Sequence, residues 1–248
     1  MQGKFSTRLD VRYQDTDSNL RMTPIALLGA MQEAAVLHAE AVGQGVAWHA
    51  ARARVWMVVQ TWARIARLPT WRTQVTVTTW ATEMGRLLSK REFLVEDEAG
   101  ELVRASTLWA FLDTQARQVT RVPAEVASAY PLVAERLLGR GLPRPRPCPH
   151  PERELPMLAR RRDLDSNGHV NNLRHLEWML DCLPELPPEA AIRELNIRYQ
   201  REILPGARAL VRLARLAPQP GAGPRFCHEI ADAVSGERLS TAETTWSE

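Results

Sequence analysis

Residues 160–179 read RRRDLDSNGHVNNLRHLEWM, and residues 12–31 read RYQDTDSNLRMTPIALLGAM. Laid over one another at an offset of 148, they share Arg12/Arg160, Asp15/Asp163, Asp17/Asp165, Ser18/Ser166, Asn19/Asn167, Leu28/Leu176 and Met31/Met179. That is far more than the roughly one match in twenty that chance supplies, and a fixed offset marks an internal repeat. Further along the offset becomes 136: Leu68-Pro69 meets Leu204-Pro205, and Gly100-Glu101 meets Gly236-Glu237. A duplication with a shorter helix-to-strand connection in the second copy accounts for both offsets.

Each copy predicts the same order of elements. Phe5, Leu9, Val11 and Tyr13 fall largely on alternate positions, a first strand. Thr23-Pro24 opens a helix with a hydroxyl at the N-cap and proline in the first turn. The alanine-rich run continues to Val42, and Gly43 closes it. Strands are predicted over 56–65, 73–80, 90–96 and 103–113, with Glu98-Ala99-Gly100 as a turn. The second copy predicts a strand, the loop 163–172, a helix to Leu183 stopped by Pro184, and strands over 195–202, 208–215, 225–231 and 239–246. Each half is thus one long helix with an antiparallel sheet, an α+β class.

Between the copies, residues 139–156 read GRGLPRPRPCPHPERELP. Proline lacks the amide donor and pushes its predecessor to extended backbone, so this stretch predicts a stiff linker. Domains over 1–138 and 157–248 follow, each large enough for a core.

The 248 residues are 45% hydrophobic and 25% charged, the profile of a soluble globular protein. No run approaches the roughly 18 apolar residues of a membrane span. The opening MQGKFSTRLDVRYQD has no apolar run behind its charges, so a cytoplasmic location is expected. Cys148, Cys182 and Cys227 are too few and too scattered to predict a disulfide framework or a zinc site. The remaining histidines lack ligand spacing, so neither metal nor cofactor is expected. Of 32 basic residues all but Lys4 and Lys90 are arginine, which suits an acidic partner. Nucleic acid is not that partner, because no zinc-finger spacing, aromatic RNA-binding motif or dense basic tail is present.

The chemistry concentrates in the loop Asp163-Leu164-Asp165-Ser166-Asn167-Gly168-His169-Val170-Asn171-Asn172. Gly168 permits a tight turn. Histidine exchanges protons near neutrality. A helix beginning near Val170 would aim the Val170 and Asn171 amides at an oxyanion. The first copy is an internal control: it keeps Asp15, Asp17, Ser18 and Asn19 but has Arg21 where the second has His169. Shared residues point to the fold, with Asp17 structural, and residues of one copy alone point to chemistry. Glu202, placed on a strand reading RYQRE, falls opposite Ala66 at the offset of 136.

The pattern D-x-D-x-N-x-H-V-N-N, followed some thirty residues later by Y-x-R-E, resembles the acyl-ACP thioesterases of plant plastids and their bacterial relatives. The first half, with RLPTWRTQVTVTTWATEMGR and RASTLWAFLDTQARQVTRVP, resembles the family's N-terminal domain. The resemblance implies a double hotdog fold, in which each half wraps a curved antiparallel sheet around one long helix. It implies hydrolysis of the thioester between a fatty acyl chain and the phosphopantetheine arm of acyl carrier protein. Residue by residue, the family's catalytic set falls on Asp165, Asn167, His169 and Glu202. The family often has a cysteine after that glutamate; here the position is Ile203, so a cysteine nucleophile does not carry over. Glu202 or Asp165 would activate water, with attack by Asp165 itself as an alternative. An acyl-CoA thioesterase and a non-catalytic acyl-thioester-binding module are the competing readings. Two hotdogs in one chain can form the unit that single hotdogs make by pairing, so monomer and homodimer are both open.

Overall fold

The computed structural model describes residues 3–247, so Met1, Gln2 and Glu248, which the expected domain bounds include, lie outside the described residues. The chain divides into two compact units, Met1–Leu142 and Pro143–Glu248.

The first unit opens with β1 (Lys4–Asp10), and a 3-10 turn at Tyr13–Asp15 leads through the first DSN loop into α1 (Pro24–Ala41). The helix begins as its sequence predicts: Thr23 Oγ1 accepts the Ala26 N–H at 3.2 Å, and Pro24 stands where no donor is needed. It closes at Gly43, whose φ of +76° is the left-handed conformation glycine adopts without steric cost. Leu27, Leu28, Met31, Ala34 and Ala35 are buried, and α1 packs on β1 and on β3 (Gln74–Met84). A short α2 (Val46–Ala51) leads to β2 (Arg54–Ile65); beyond β3 come β4 (Leu88–Asp97) and β5 (Gly100–Asp113). The sheet order is β1-β3-β4-β5-β2, antiparallel throughout, with β6 (Gln118–Val119) on β5 and α3 (Ala124–Ala129) after it.

The second unit repeats the plan. After β7 (Arg153–Leu158) and a 3-10 turn at Arg161–Asp163 comes α4 (Asn172–Asp181), then β8 (Ile192–Tyr199), β9 (Arg208–Arg215), β10 (Arg225–Asp232) and β11 (Arg238–Trp246). Their order, β7-β9-β10-β11-β8, is the order of the first unit. The repeat identities Leu28/Leu176 and Met31/Met179 are buried in both copies. Truncating such a leucine to alanine costs about 2–5 kcal/mol, which is reason enough for both copies to keep it.

Three expectations are corrected. The second helix is not long: α4 has 10 residues against 18 in α1 and stops at Asp181, short of the predicted Leu183. Glu202 is not on a strand, because β8 ends at Tyr199; the Gln200 and Arg201 amides both turn to the Leu239 carbonyl, at 2.9 and 3.1 Å. The stretch expected as a stiff linker over 139–156 runs into a strand at its end. Its end is β7, where Pro156 sits on a strand paired only with β9, the edge setting that proline tolerates. The rest is a strap fastened to the strands beside it. In the first unit Lys90 Nζ donates to the Gly139 and Arg140 carbonyls; in the second, Asn196 Nδ2 donates to the Pro143 carbonyl and the Arg146 amide to Glu243 Oε1. Among the described residues no helix is long and apolar enough to cross a membrane, and no three His, Cys, Asp or Glu side chains form a metal-binding group.

Both cores bury histidine. Arg91 Nη1 donates to Thr79 Oγ1 and lies 2.9 Å from His38 Nδ1, which as the acceptor belongs to a neutral ring. Burial, helped by Arg91, holds His38 down to about 4. Burial alone does the same to His175, and it outweighs a Met179 backbone contact at His228; each is held to about 4. An unfolded chain protonates these rings near pH 6.5, so it takes up protons before the folded one does. Stability is therefore full above that pH and falls as pH drops towards 4, by about 1.4 kcal/mol per pH unit for each histidine. Urea unfolding between pH 7.5 and 5 is expected to show this slope, and His228→Asn to make it shallower; a pH-independent midpoint would contradict the assignment.

Candidate active site

Both helices are entered through the same hydrogen-bonded loop. In the second unit Asp165 Oδ1 accepts the Asn167 amide at 2.8 Å and the His169 amide at 3.3 Å, while the Asp165 amide donates to the His169 carbonyl at 2.8 Å. In the first unit Asp17 Oδ1 accepts the Asn19 and Arg21 amides at 2.8 and 2.9 Å, and the Asp17 amide donates to the Arg21 carbonyl at 2.8 Å. The tip is left-handed in both, at Leu20 (φ +59°) and Gly168 (φ +78°). A second pair of bonds sets the helix start: the Thr23 amide donates to the Asp15 carbonyl and the Asn171 amide to the Asp163 carbonyl, each at 2.8 Å. Carboxylates here gather orphan amides at a turn, as Asp does by its short reach.

A third pair ties each loop to the segment leaving the post-helix strand. The Met22 amide donates to the Pro69 carbonyl at 2.8 Å, and the Val170 amide to the Ile203 carbonyl at 2.9 Å. These bonds equate Ile203 with Pro69, and therefore Glu202 with Leu68 rather than with Ala66. The offset at this point is 134, so the Leu-Pro dipeptides lie two residues out of register. Either way the first copy has no acid there.

What the two copies place in this frame differs. In the first, Arg21 Nε pairs with Asp17 Oδ2 at 3.0 Å. In the second, His169 replaces the arginine, and its Nε2 lies 3.2 Å from Glu202 Oε2. The two side chains are 29% and 40% exposed. An ion pair or hydrogen bond that open to solvent contributes about 0–1 kcal/mol, so stability does not account for it. A histidine and a carboxylate at hydrogen-bond distance on an accessible loop can move a proton to or from a bound water.

The other expected residues are placed as follows. Asp165 is fixed by the turn, and Asn167 is exposed, its Nδ2 3.4 Å from Asp165 Oδ2. Val170 and Asn171 do not present amides to an oxyanion, because both N–H groups are spent on the Ile203 and Asp163 carbonyls. Val170 is buried, and Asn171 is the N-cap of α4, its Oδ1 accepting the Leu173 amide. Asp163 is buried as a cap too, its Oδ2 accepting the Arg160 amide at 2.8 Å. The anchoring role of the Ile203 carbonyl has no side-chain signal in the sequence. An open groove of about 530 Å³, lined in part by Met157, Leu158, Arg160, Trp178 and Arg208, includes neither His169 nor Glu202.

Comparisons with known proteins bear on both units. A family model described as the acyl-ACP thioesterase N-terminal domain matches residues 2–130, and one described as the C-terminal domain matches 150–248. The chain is 25% identical to a chloroplastic dodecanoyl-[acyl-carrier-protein] hydrolase of Cinnamomum camphora, over 98% of this chain and 67% of that protein. It is 28% identical to a chloroplastic palmitoyl-acyl carrier protein thioesterase of Cuphea hookeriana, over 77% of this chain and 48% of that one. It spans about half to two thirds of the length of these curated relatives. Among solved structures, an acyl-ACP thioesterase from Bacteroides thetaiotaomicron superposes with a TM-score of 0.86 at 22% identity, covering 98% of each chain. The 12:0-ACP thioesterase of Umbellularia californica superposes at 0.84 with 25% identity, over 98% of this chain and 93% of that one. The fold is the double hotdog.

The shared loop chemistry predicts equal structural costs. Asp17→Ala and Asp165→Ala are each expected to lower unfolding free energy by about 1–2 kcal/mol, through two amides left without their carboxylate. Urea midpoints check this; an unchanged midpoint for Asp17→Ala would contradict a structural role for the shared aspartate.

Proposed function

The chain belongs to the acyl-ACP thioesterase family, and from that premise we propose that it hydrolyses fatty acyl-ACP to free fatty acid and holo-ACP at the His169–Glu202 pair. The observation that carries the site is the 3.2 Å approach of these side chains in one of two otherwise equivalent loops.

A thioester needs a nucleophile, a base and polarisation of its carbonyl. In this reading Glu202 takes a proton from water as its oxygen bonds to the acyl carbon, and His169 Nε2 orients the carboxylate. Asp165 is poorly suited to attack or act as base, because one of its oxygens is already shared between two backbone amides. It instead holds the loop in shape. With the Val170 and Asn171 amides engaged, the developing oxyanion falls to side chains, and Asn167 is the amide available on the loop. The tetrahedral intermediate collapses as the C–S bond breaks. The proton held by Glu202 passes to the departing thiolate, which leaves as the thiol of the carrier's phosphopantetheine arm.

The test is release of free fatty acid from a C8–C18 acyl-ACP panel, with the matching acyl-CoAs alongside. Wild type is expected to turn over acyl-ACP, and His169→Ala and Glu202→Gln each to lose about 10²–10³ in kcat with unchanged urea midpoints. Asp17→Asn is expected to keep its activity. Equal turnover of acyl-CoA would move the substrate to the CoA thioester. Binding without turnover by folded wild type would replace the enzyme with an acyl-thioester-binding module.

A further inference from the structure

Two of the three cysteines, 79 residues apart in sequence, meet inside the second unit. Cys148 lies in the strap between Pro147 and Pro149, and Cys227 lies on β10. Their sulfurs are 2.6 Å apart, both side chains are buried, and they pack with Ala214 and Leu216. Both are free thiols in this structure, and a disulfide places its sulfurs about 2.05 Å apart, so a small shift closes the bond. No third or fourth ligand accompanies them, since no metal-binding group of three exists among the described residues. Cys182 is apart from the pair, nearest to the Val211 carbonyl.

The first unit fastens its end of the strap from the matching strand. There the Lys90 ammonium donates to the Gly139 and Arg140 carbonyls. Carried through the strand pairings, Cys227 corresponds to Glu92, whose Oε2 accepts the Leu137 amide at 3.2 Å.

We propose that Cys148 and Cys227 form a site of oxidative modification, a reversible disulfide that staples the strap to β10 with a small hydroperoxide as oxidant. One sulfur attacks the peroxide oxygen, the O–O bond breaks, and a sulfenic acid and one water result. The second sulfur displaces the sulfenic oxygen as another water. In balance, two thiols and one hydrogen peroxide give one disulfide and two waters, sulfur oxidised and peroxide oxygen reduced. Either sulfur can make the first attack, since each lies within reach of the other. Around Cys148 the strap has no regular secondary structure, so local opening there admits the oxidant.

The full-length protein, reduced and then treated with hydrogen peroxide, tests this by denaturing alkylation, intact mass and non-reducing peptide mapping. The expected result is one alkylated thiol, Cys182, in place of three, with a mass two hydrogens lower and a single peptide linking residues 148 and 227. Cys182→Ser should still form the link, and Cys148→Ser should not. The oxidised wild type should melt several degrees higher, because the bond closes a long loop. Three alkylatable thiols after treatment, conversion to sulfinic acid without a link, or a link through Cys182 would each overturn the proposal.

Discussion

The bond from the Val170 amide to the Ile203 carbonyl is the constraint on which the candidate site depends. It brings the segment leaving β8 against the loop entering α4, so whatever stands at 202 faces whatever stands at 169. The first unit makes the same bond from Met22 to Pro69, and there the facing positions hold Leu68 and Arg21. Backbone geometry alone thus provides two equivalent frames. The second frame holds His169 and Glu202 at these positions, with no new loop or element.

The difference between the frames is electrostatic as much as chemical. In the first, Arg21 turns back onto Asp17 and neutralises it. In the second, no cation among the described residues pairs with Asp165 in that way; the imidazole reaches across to Glu202. The tip residues follow the same division. Leu20 carries a left-handed conformation that costs an ordinary side chain about 1–2 kcal/mol, whereas Gly168 adopts it freely and leaves open space around its Cα. A small, unstrained tip suits a loop that a thioester approaches in the proposed function.

Much of this was legible in the amino-acid order. The Thr23-Pro24 start, the Gly43 stop and most strands of both copies depend on local preferences, and the structure follows them. The loop residues could be picked out because duplication supplies an internal comparison: Asp165 is shared with a copy that lacks the histidine and the acid, whereas His169 and Glu202 are not. What escaped the reading was set by partners remote in sequence. The alternation of RYQRE runs on smoothly past Tyr199, and only the doubly used Leu239 carbonyl ends the strand before Glu202. The Val170 and Asn171 amides look free at a helix start until the Ile203 and Asp163 carbonyls are seen to take them. The strap gives no ladder pattern, and the meeting of Cys148 with Cys227 leaves no trace in their spacing.

In the proposed function His169 and Glu202 work as one unit held by the loop frame. A double-mutant cycle on acyl-ACP hydrolysis tests it most directly, comparing kcat/KM for wild type, His169→Ala, Glu202→Gln and the pair together. Residues acting as a unit are strongly non-additive, so the double variant is expected to lose no more than about tenfold beyond the worse single variant. Losses that multiply, each substitution costing the same with or without the other, would contradict it and leave two independent residues that merely lie close.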